Sequence, residues 1–196
     1  MGKKKSSLEE SILSNIETHE ALISFEKIID QIIKLIYSTF KKNGKILICG
    51  NGGSAADAQH LVAELLVRLR PKVNRNPLPA IALAQDTSTI TACGNDYSFE
   101  DIFLRNFQAL SSKNDLLLAI STSGNSKNII KVLKYAKLKK NKTIGFLGGL
   151  GGVAKKYCDY KIIVPNTNVA RIQECHIFLG HYILEQVENR ILNKKN

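Results

Sequence analysis

Two side chains one helical turn apart are the first residues able to do chemistry. His60 and Glu64 are four residues apart in a stretch of helical periodicity, which puts an imidazole and a carboxylate on one face, within reach of a single ion or substrate. Such a pair suits zinc, and a carboxylate oxygen not used in coordination can take a proton from carbon. Near the C-terminus Gln173, Glu174, His176 and His181 bring unusual polarity to a stripe otherwise built for packing. Gln173 and His181 are separated by roughly 80° on an ideal helix. They share a site only through reach or bending, for which Gly180 offers a place. Spacing does not choose between His176 and His181, and the same residues would suit the rim of a helix bundle.

Two loops have the composition of anion cradles. Gly50-Asn51-Gly52-Gly53-Ser54 leaves one apolar run for a helix, and Ser121-Thr122-Ser123-Gly124-Asn125-Ser126 leaves another. Glycines let the backbone approach a ligand, hydroxyls donate hydrogen bonds, and the helix that follows presents unpaired N–H groups to an anion. A phosphate fits the second loop best. The competing reading is a pair of ordinary turns capped by Ser and Asn. Neither loop has the Lys-Ser/Thr of a nucleotide P-loop, and the first lacks the G-x-G-x-x-G of a dinucleotide fold.

The elements that must position these residues follow from periodicity. Apolar residues from Leu8 to Phe40 recur at helical spacing, as one long helix or two, and Asn43-Gly44 ends them. Strands are expected at 45–49, 80–83, 116–120, 143–147 and 160–164. Helices are expected at 55–69, 99–110, 129–138 and 171–192, with a linker around Pro71, Pro77 and Pro79. Strands alternating with helices predict an α/β fold: a parallel five-stranded sheet with helices on both faces. Both loops then lie at carboxyl ends of strands, where open α/β sheets bind ligands. The reading is one domain over 8–196, with an N-terminal helical segment 8–43, preceded by a basic, disordered tail over 1–7.

Bulk properties narrow the functional class. The four cysteines, Cys49, Cys93, Cys158 and Cys175, form no metal or disulfide framework and read as reduced core thiols. No secretory signal or membrane span is evident, so a soluble, cytoplasmic protein with no membrane partner is expected. The net charge of +11 is concentrated at Lys3 to Lys5, at Lys194-Lys195 and at Lys137, Lys139, Lys140 and Lys142. None of these clusters is interleaved with aromatics as a single-strand groove would be, so they read as solvated surface and no nucleic-acid partner is expected.

Taken together, Gly50 to His60, Gly94-Asn95-Asp96, Ser121 to Ser126, and Arg171-Ile172-Gln173-Glu174 with His181 beyond resemble the phosphoheptose isomerase family of SIS (sugar isomerase) domains over nearly the whole chain. The resemblance implies a zinc ion in each subunit held by His60, Glu64, Gln173 and His181. It implies substrate contacts from Asn51, Gly52, Gly53, Glu64, Asn95, Asp96, Ser121, Thr122, Ser123, Ser126 and Gln173, with Glu64 as base and His181 as partner acid. It also implies a homotetramer with active sites at subunit interfaces, in which the terminal helices form a bundle. The implied reaction converts sedoheptulose 7-phosphate to D-glycero-D-manno-heptose 7-phosphate, for lipopolysaccharide or capsule. Non-catalytic phosphosugar-binding SIS proteins of the replication-initiator-associating type resemble the chain in the same loops; Glu64 and His181 set it apart from them. One departure is Ala170, where some relatives carry Asp.

Overall fold

The computed structural model describes residues 7–83 and 86–193. Helix α1 (Ser7–Glu20) runs through a 3-10 turn at Ala21–Phe25 into α2 (Glu26–Lys41), so the expected N-terminal helix is two. Ile29, Ile32, Ile33 and Ile36 of α2 recur at three and four residues and are buried. In α1 only Thr18 is buried, while Leu8, Ile12 and Ile16 remain exposed. Asn43 adopts φ +56 and, with Gly44, ends α2 as expected. The basic tail lies, up to residue 6, outside the described residues, as do Lys194 and Lys195.

Strands β1 (Ile46–Gly50), β2 (Ala80–Ala82), β3 (Leu116–Ser121), β4 (Lys142–Gly148) and β5 (Tyr160–Val164) form one parallel sheet in the order β2-β1-β3-β4-β5. Every residue of β1 and β3 is buried, as in a sheet covered on both faces. Alternate residues serve two cores. Ile46, Ile48, Leu116, Leu118, Ile144 and Phe146 pack with α2, α3 (Gly53–Leu66) and α7 (Val169–Leu192). On the other face Leu47, Cys49, Leu117 and Leu147 pack with α4 (Thr87–Asp96), α5 (Ile102–Leu110) and α6 (Lys127–Leu138). The four cysteines are buried free thiols, and burial pushes Cys158 up to about 12 and Cys175 up to about 11.

Helix α4 has no counterpart in the periodicity reading. Its sequence is TSTITACGND, with only Cys93 buried, so it lacks an apolar stripe; what starts it is Asp86, whose carboxylate accepts from the Ser88 and Thr89 N–H groups. Helix α3 stops at Leu66, three residues before its expected end. Beyond it the proline-bearing linker is anchored by Arg75, which donates to the carbonyls of Glu64 (2.6 Å) and Leu65 (2.9 Å) and to Glu188 Oε1 (2.7 Å). Among the described residues, no helix is long and apolar enough to cross a membrane.

Candidate functional site

In this strand order the chain reverses its direction of winding at β1 and β3: β2 lies on one side of β1 and all later strands on the other. The crevice beyond their carboxyl ends is where such sheets take ligands. Gly50 and Ile120 are register partners, so the two loops noted in the sequence begin side by side. They are tied by a reciprocal amide pair: Asn51 Nδ2 donates to Asn128 Oδ1 at 2.9 Å, and Asn128 Nδ2 donates to Asn51 Oδ1 at 2.8 Å.

Gly52 sits at φ +55, ψ −124, a conformation for which glycine is needed, and a Cβ there would meet nothing within 4 Å. The loop is thus open in front of the α3 N-terminus. In the second loop Ser121 Oγ accepts from Gly124 N at 3.1 Å and Ser123 Oγ from Asn125 N at 3.1 Å, leaving each hydroxyl its own proton to donate. Ser126, at the start of α6, makes no side-chain cap hydrogen bond, and Gly52, at the start of α3, has no side chain to make one, while Ser121 and Ser123 close the second loop in the manner of the turn reading.

Two helices carry the remaining groups. Gly53 faces Gln173, Leu61 faces Gly180, and Arg70 bonds Glu188 and Asn189, so α3 and α7 run side by side in the same direction. A Cβ on Gly180 would lie 2.5 Å from Leu61 Cδ2; this glycine permits close approach of the two helices, a role different from the bend expected of it. His60 Nε2 lies 2.9 Å from His181 Nε2 and 3.3 Å from Glu64 Oε1, and one ligand atom from each of the three lies within 4.8 Å of the others. Two ligands on a tetrahedral metal with bonds of about 2.0–2.1 Å are about 3.3 Å apart; the His60–Glu64 separation matches this, the His60–His181 separation is a little shorter, and the three together form a group that could hold a metal ion. Glu64 Oε2 is buried with no hydrogen-bond partner, which leaves one acceptor of the carboxylate uncommitted.

Of the two histidines that spacing could not separate, His181 joins this trio. His176 is fully buried in the core, donates from Nε2 to the Leu147 carbonyl at 3.1 Å, and is held neutral by burial, which lowers its pKa to about 4. Glu174 is tied to Arg171 and to Asn15 of α1, a packing role. Gln173 lays its amide over Gly53, where a Cβ would come within 2.1 Å of Nε2. Asn95 and Asp96 end α4, exposed, with Asn95 Nδ2 donating to Asp96 Oδ1. Thr122, Ser123 and Ser126 lie in the second loop as expected.

Three contributors escaped the sequence reading. Asp57, one turn before His60, has Oδ2 buried without a partner; burial raises its pKa, opposed by the nearby His60 and His181. Its signal was present, since Asp57, His60 and Glu64 fall on one helical face. Asn128 looked like any polar residue in a helix. Arg75 looked like a solvated charge in a proline-rich linker, yet its side chain is 3% exposed.

The SIS domain family profile matches residues 10–148. The chain is similar to the phosphoheptose isomerase of Chlorobaculum parvum, at 51% identity over 83% of this chain and 78% of that protein. It is similar to the phosphoheptose isomerase of Clostridium acetobutylicum at 44% identity over 97% and 98%. Its fold superposes on the structure of a phosphoheptose isomerase from Francisella tularensis with a TM-score of 0.85 and 39% identity, covering 93% and 94% of the two chains.

Proposed function

The chain belongs to the phosphoheptose isomerases of the SIS domain family, and we infer that it converts sedoheptulose 7-phosphate to D-glycero-D-manno-heptose 7-phosphate, supplying heptose for lipopolysaccharide or capsule. An aldose–ketose exchange through an enediol removes a proton from one carbon and returns it to its neighbour while the carbonyl oxygen gains negative charge. It needs a base, an acid and an electrophile. The observation that carries this reading is the convergence of His60, Glu64 and His181, two of them on the helix that leaves the first loop.

Glu64 acts as the base through Oε2, the oxygen without a partner, while Oε1 stays turned to His60. His181 is the partner acid, able to supply the proton to the substrate oxygen only from a ring nitrogen that is not bound to metal. One zinc ion per subunit, held by His60, Glu64 and His181, would polarise the substrate oxygens; Gln173, the fourth ligand of this reading, rests with its amide over Gly53 and would join the set only by turning its side chain along the groove between α3 and α7. Ser121, Thr122, Ser123 and Ser126 hold the phosphate at the α6 N-terminus. Asn51, Gly52, Gly53 and Gln173 line the sugar between the phosphate loop and the trio. The trio lies two turns along α3 from Gly53, roughly 10 Å, and a seven-carbon phosphosugar likewise keeps its reacting carbons and its phosphate at opposite ends.

Asn95 and Asp96 contact substrate in an assembled homotetramer whose sites lie at subunit interfaces. Their exposure in the single chain supports this, as do Leu8, Ile12, Ile16, Phe178 and Tyr182, apolar side chains left uncovered on α1 and α7. The reading places the protein in the cytoplasm, as one domain over 8–196. Product analysis after incubation of the purified protein with sedoheptulose 7-phosphate is the test. Appearance of the aldose phosphate supports the reading, whereas binding without conversion would assign the chain to the non-catalytic phosphosugar-binding type.

A further inference from the structure

The end of the sheet opposite the catalytic loops carries charge that the isomerase chemistry does not use. There the end of α2 and the turns leading into β3 and β4 surround a cavity of about 120 Å³, lined by Lys42, Lys113, Lys140, Lys142, Ser38 and Asn114 among others. All four lysines are exposed. The one carboxylate in its wall, Asp115, is buried and already engaged. Its Oδ1 accepts from Lys45 N (2.8 Å), and its Oδ2 accepts from Lys45 Nζ (2.6 Å) and Ser112 N (2.6 Å). Among the described residues, none of the four lysines forms an ion pair.

The simplest account of lysines here is compensation of helix dipoles, since α2 and α6 both end at this cavity. Each helix C-terminus presents roughly half a negative charge, so the two together offset about one lysine of four. Of the four, Lys142 begins β4, and Lys113 stands two residues past the α5 C-cap Ser111, outside the last turn over which a helix dipole acts. Lys140 carries a further mark. It occupies φ +62 directly after α6, with its N–H bonded to the Lys137 carbonyl and the Asn141 N–H bonded to the Ala136 carbonyl. That is a helix-ending motif in which glycine adopts the left-handed conformation without strain and lysine does not. The backbone thus tolerates an unfavourable residue that adds a charge to the cavity wall.

No aromatic residue lines the cavity, so nothing in it would stack on a base. Four lysines lining one small volume match an anion whose charges are themselves close together. We propose that this cavity is a second anion site, which binds a condensed phosphate chain, either free inorganic polyphosphate or the terminal phosphates of a nucleotide. The site is independent of the isomerase reading, because none of its residues belongs to the catalytic loops or the trio.

The test is calorimetric titration of the full chain in its native assembly with inorganic triphosphate at physiological salt, with saturating sedoheptulose 7-phosphate present to occupy the phosphate loop. The expected result is saturable binding of one triphosphate per chain, with orthophosphate at least tenfold weaker. In a Lys113→Gln, Lys140→Gln, Lys142→Gln variant affinity falls at least tenfold while isomerase turnover is unchanged. Lys140→Gly is expected to melt at a higher temperature and yet bind more weakly, which separates the charge from any folding defect. ATP equal to triphosphate would identify a nucleotide's phosphates as a competent source, and ATP much weaker would assign the free chain. Wild-type affinity in the triple variant would overturn the proposal, and would also be the signature of triphosphate merely withdrawing a resident metal. Loss of binding when the sugar phosphate is added, or a short oligonucleotide bound more tightly than triphosphate by the same lysines, would overturn it as well.

Discussion

Replacing Glu64 by Gln tests the proposed base at nearly constant shape. The carboxylate lies next to His60, with Oε2 buried and unpartnered, and its side chain is 16% exposed. Losing a positioned general base lowers turnover by roughly 10²–10⁴-fold, which is about 2.7–5.4 kcal/mol on the barrier at about 1.36 kcal/mol per tenfold. The amide also puts an N–H group where an acceptor was, and burying it unpaired costs about 1–3 kcal/mol. The fold should survive, because the hydrogen bond that ends α3 uses the Glu64 backbone carbonyl and Arg75, neither of which changes. The assay is single-turnover conversion of sedoheptulose 7-phosphate, with bound metal, denaturant midpoint and phosphosugar affinity measured on the same preparation. The expected pattern is a kcat loss of two to four orders of magnitude with KM nearly unchanged. A variant that keeps wild-type metal content and converts substrate within a factor of three of wild type would refute Glu64 as base.

Three further outcomes follow from the same geometry. Ser123→Ala and Ser126→Ala each remove a hydroxyl from the proposed phosphate cradle and should weaken sugar-phosphate binding by about 1.5–3 kcal/mol, read by calorimetry; unchanged affinity in both would move the phosphate elsewhere. His176 is depressed from 6.5 to about 4 by burial, so between those values the unfolded chain binds a proton that the native chain does not, and stability should fall as pH drops from 6.5 toward 4. A His176→Phe variant should lose one proton's worth of that slope in denaturant titrations across this range, and an unaltered slope would show that the group titrates normally. Arg75→Ala leaves Glu188 with Arg70 as its remaining partner but strands the Glu64 and Leu65 carbonyls and one Glu188 oxygen, and should cost about 1–3 kcal/mol; a change under about 0.5 kcal/mol in the unfolding free energy would rule out the anchoring role given to it.

Much of the architecture was legible because parallel strands buried on both faces are plain in sequence: LLLAIS has no other sensible place. The loops were legible for the same reason, since glycine and hydroxyl residues directly after such runs have few purposes. Helix α4 was not, because its stability comes from an Asp86 cap and a single buried thiol, and periodicity sees neither. The choice of His181 over His176 was also beyond spacing. The two lie five residues apart on one helix, and only the placement of β4 shows that one faces the Leu147 carbonyl and the other faces His60. Asn128 depends on Asn51, far along the chain, so nothing local marks it, whereas Asp57 shares the helical face of His60 and Glu64 and was legible there.

The pairing of His60 with His181 spans 121 residues, and this gives the site a timetable. During synthesis at about 5–20 residues per second, the interval between Glu64 and His181 is roughly 6–23 seconds. Over that time α3 carries an imidazole and a carboxylate with no third partner. The matched domain profile ends at residue 148, before the helix that completes the trio. A nascent chain therefore possesses the sequences of both phosphosugar loops well before it possesses a reactive centre, and the last helix made, α7, is the one whose docking turns the first capability into the second.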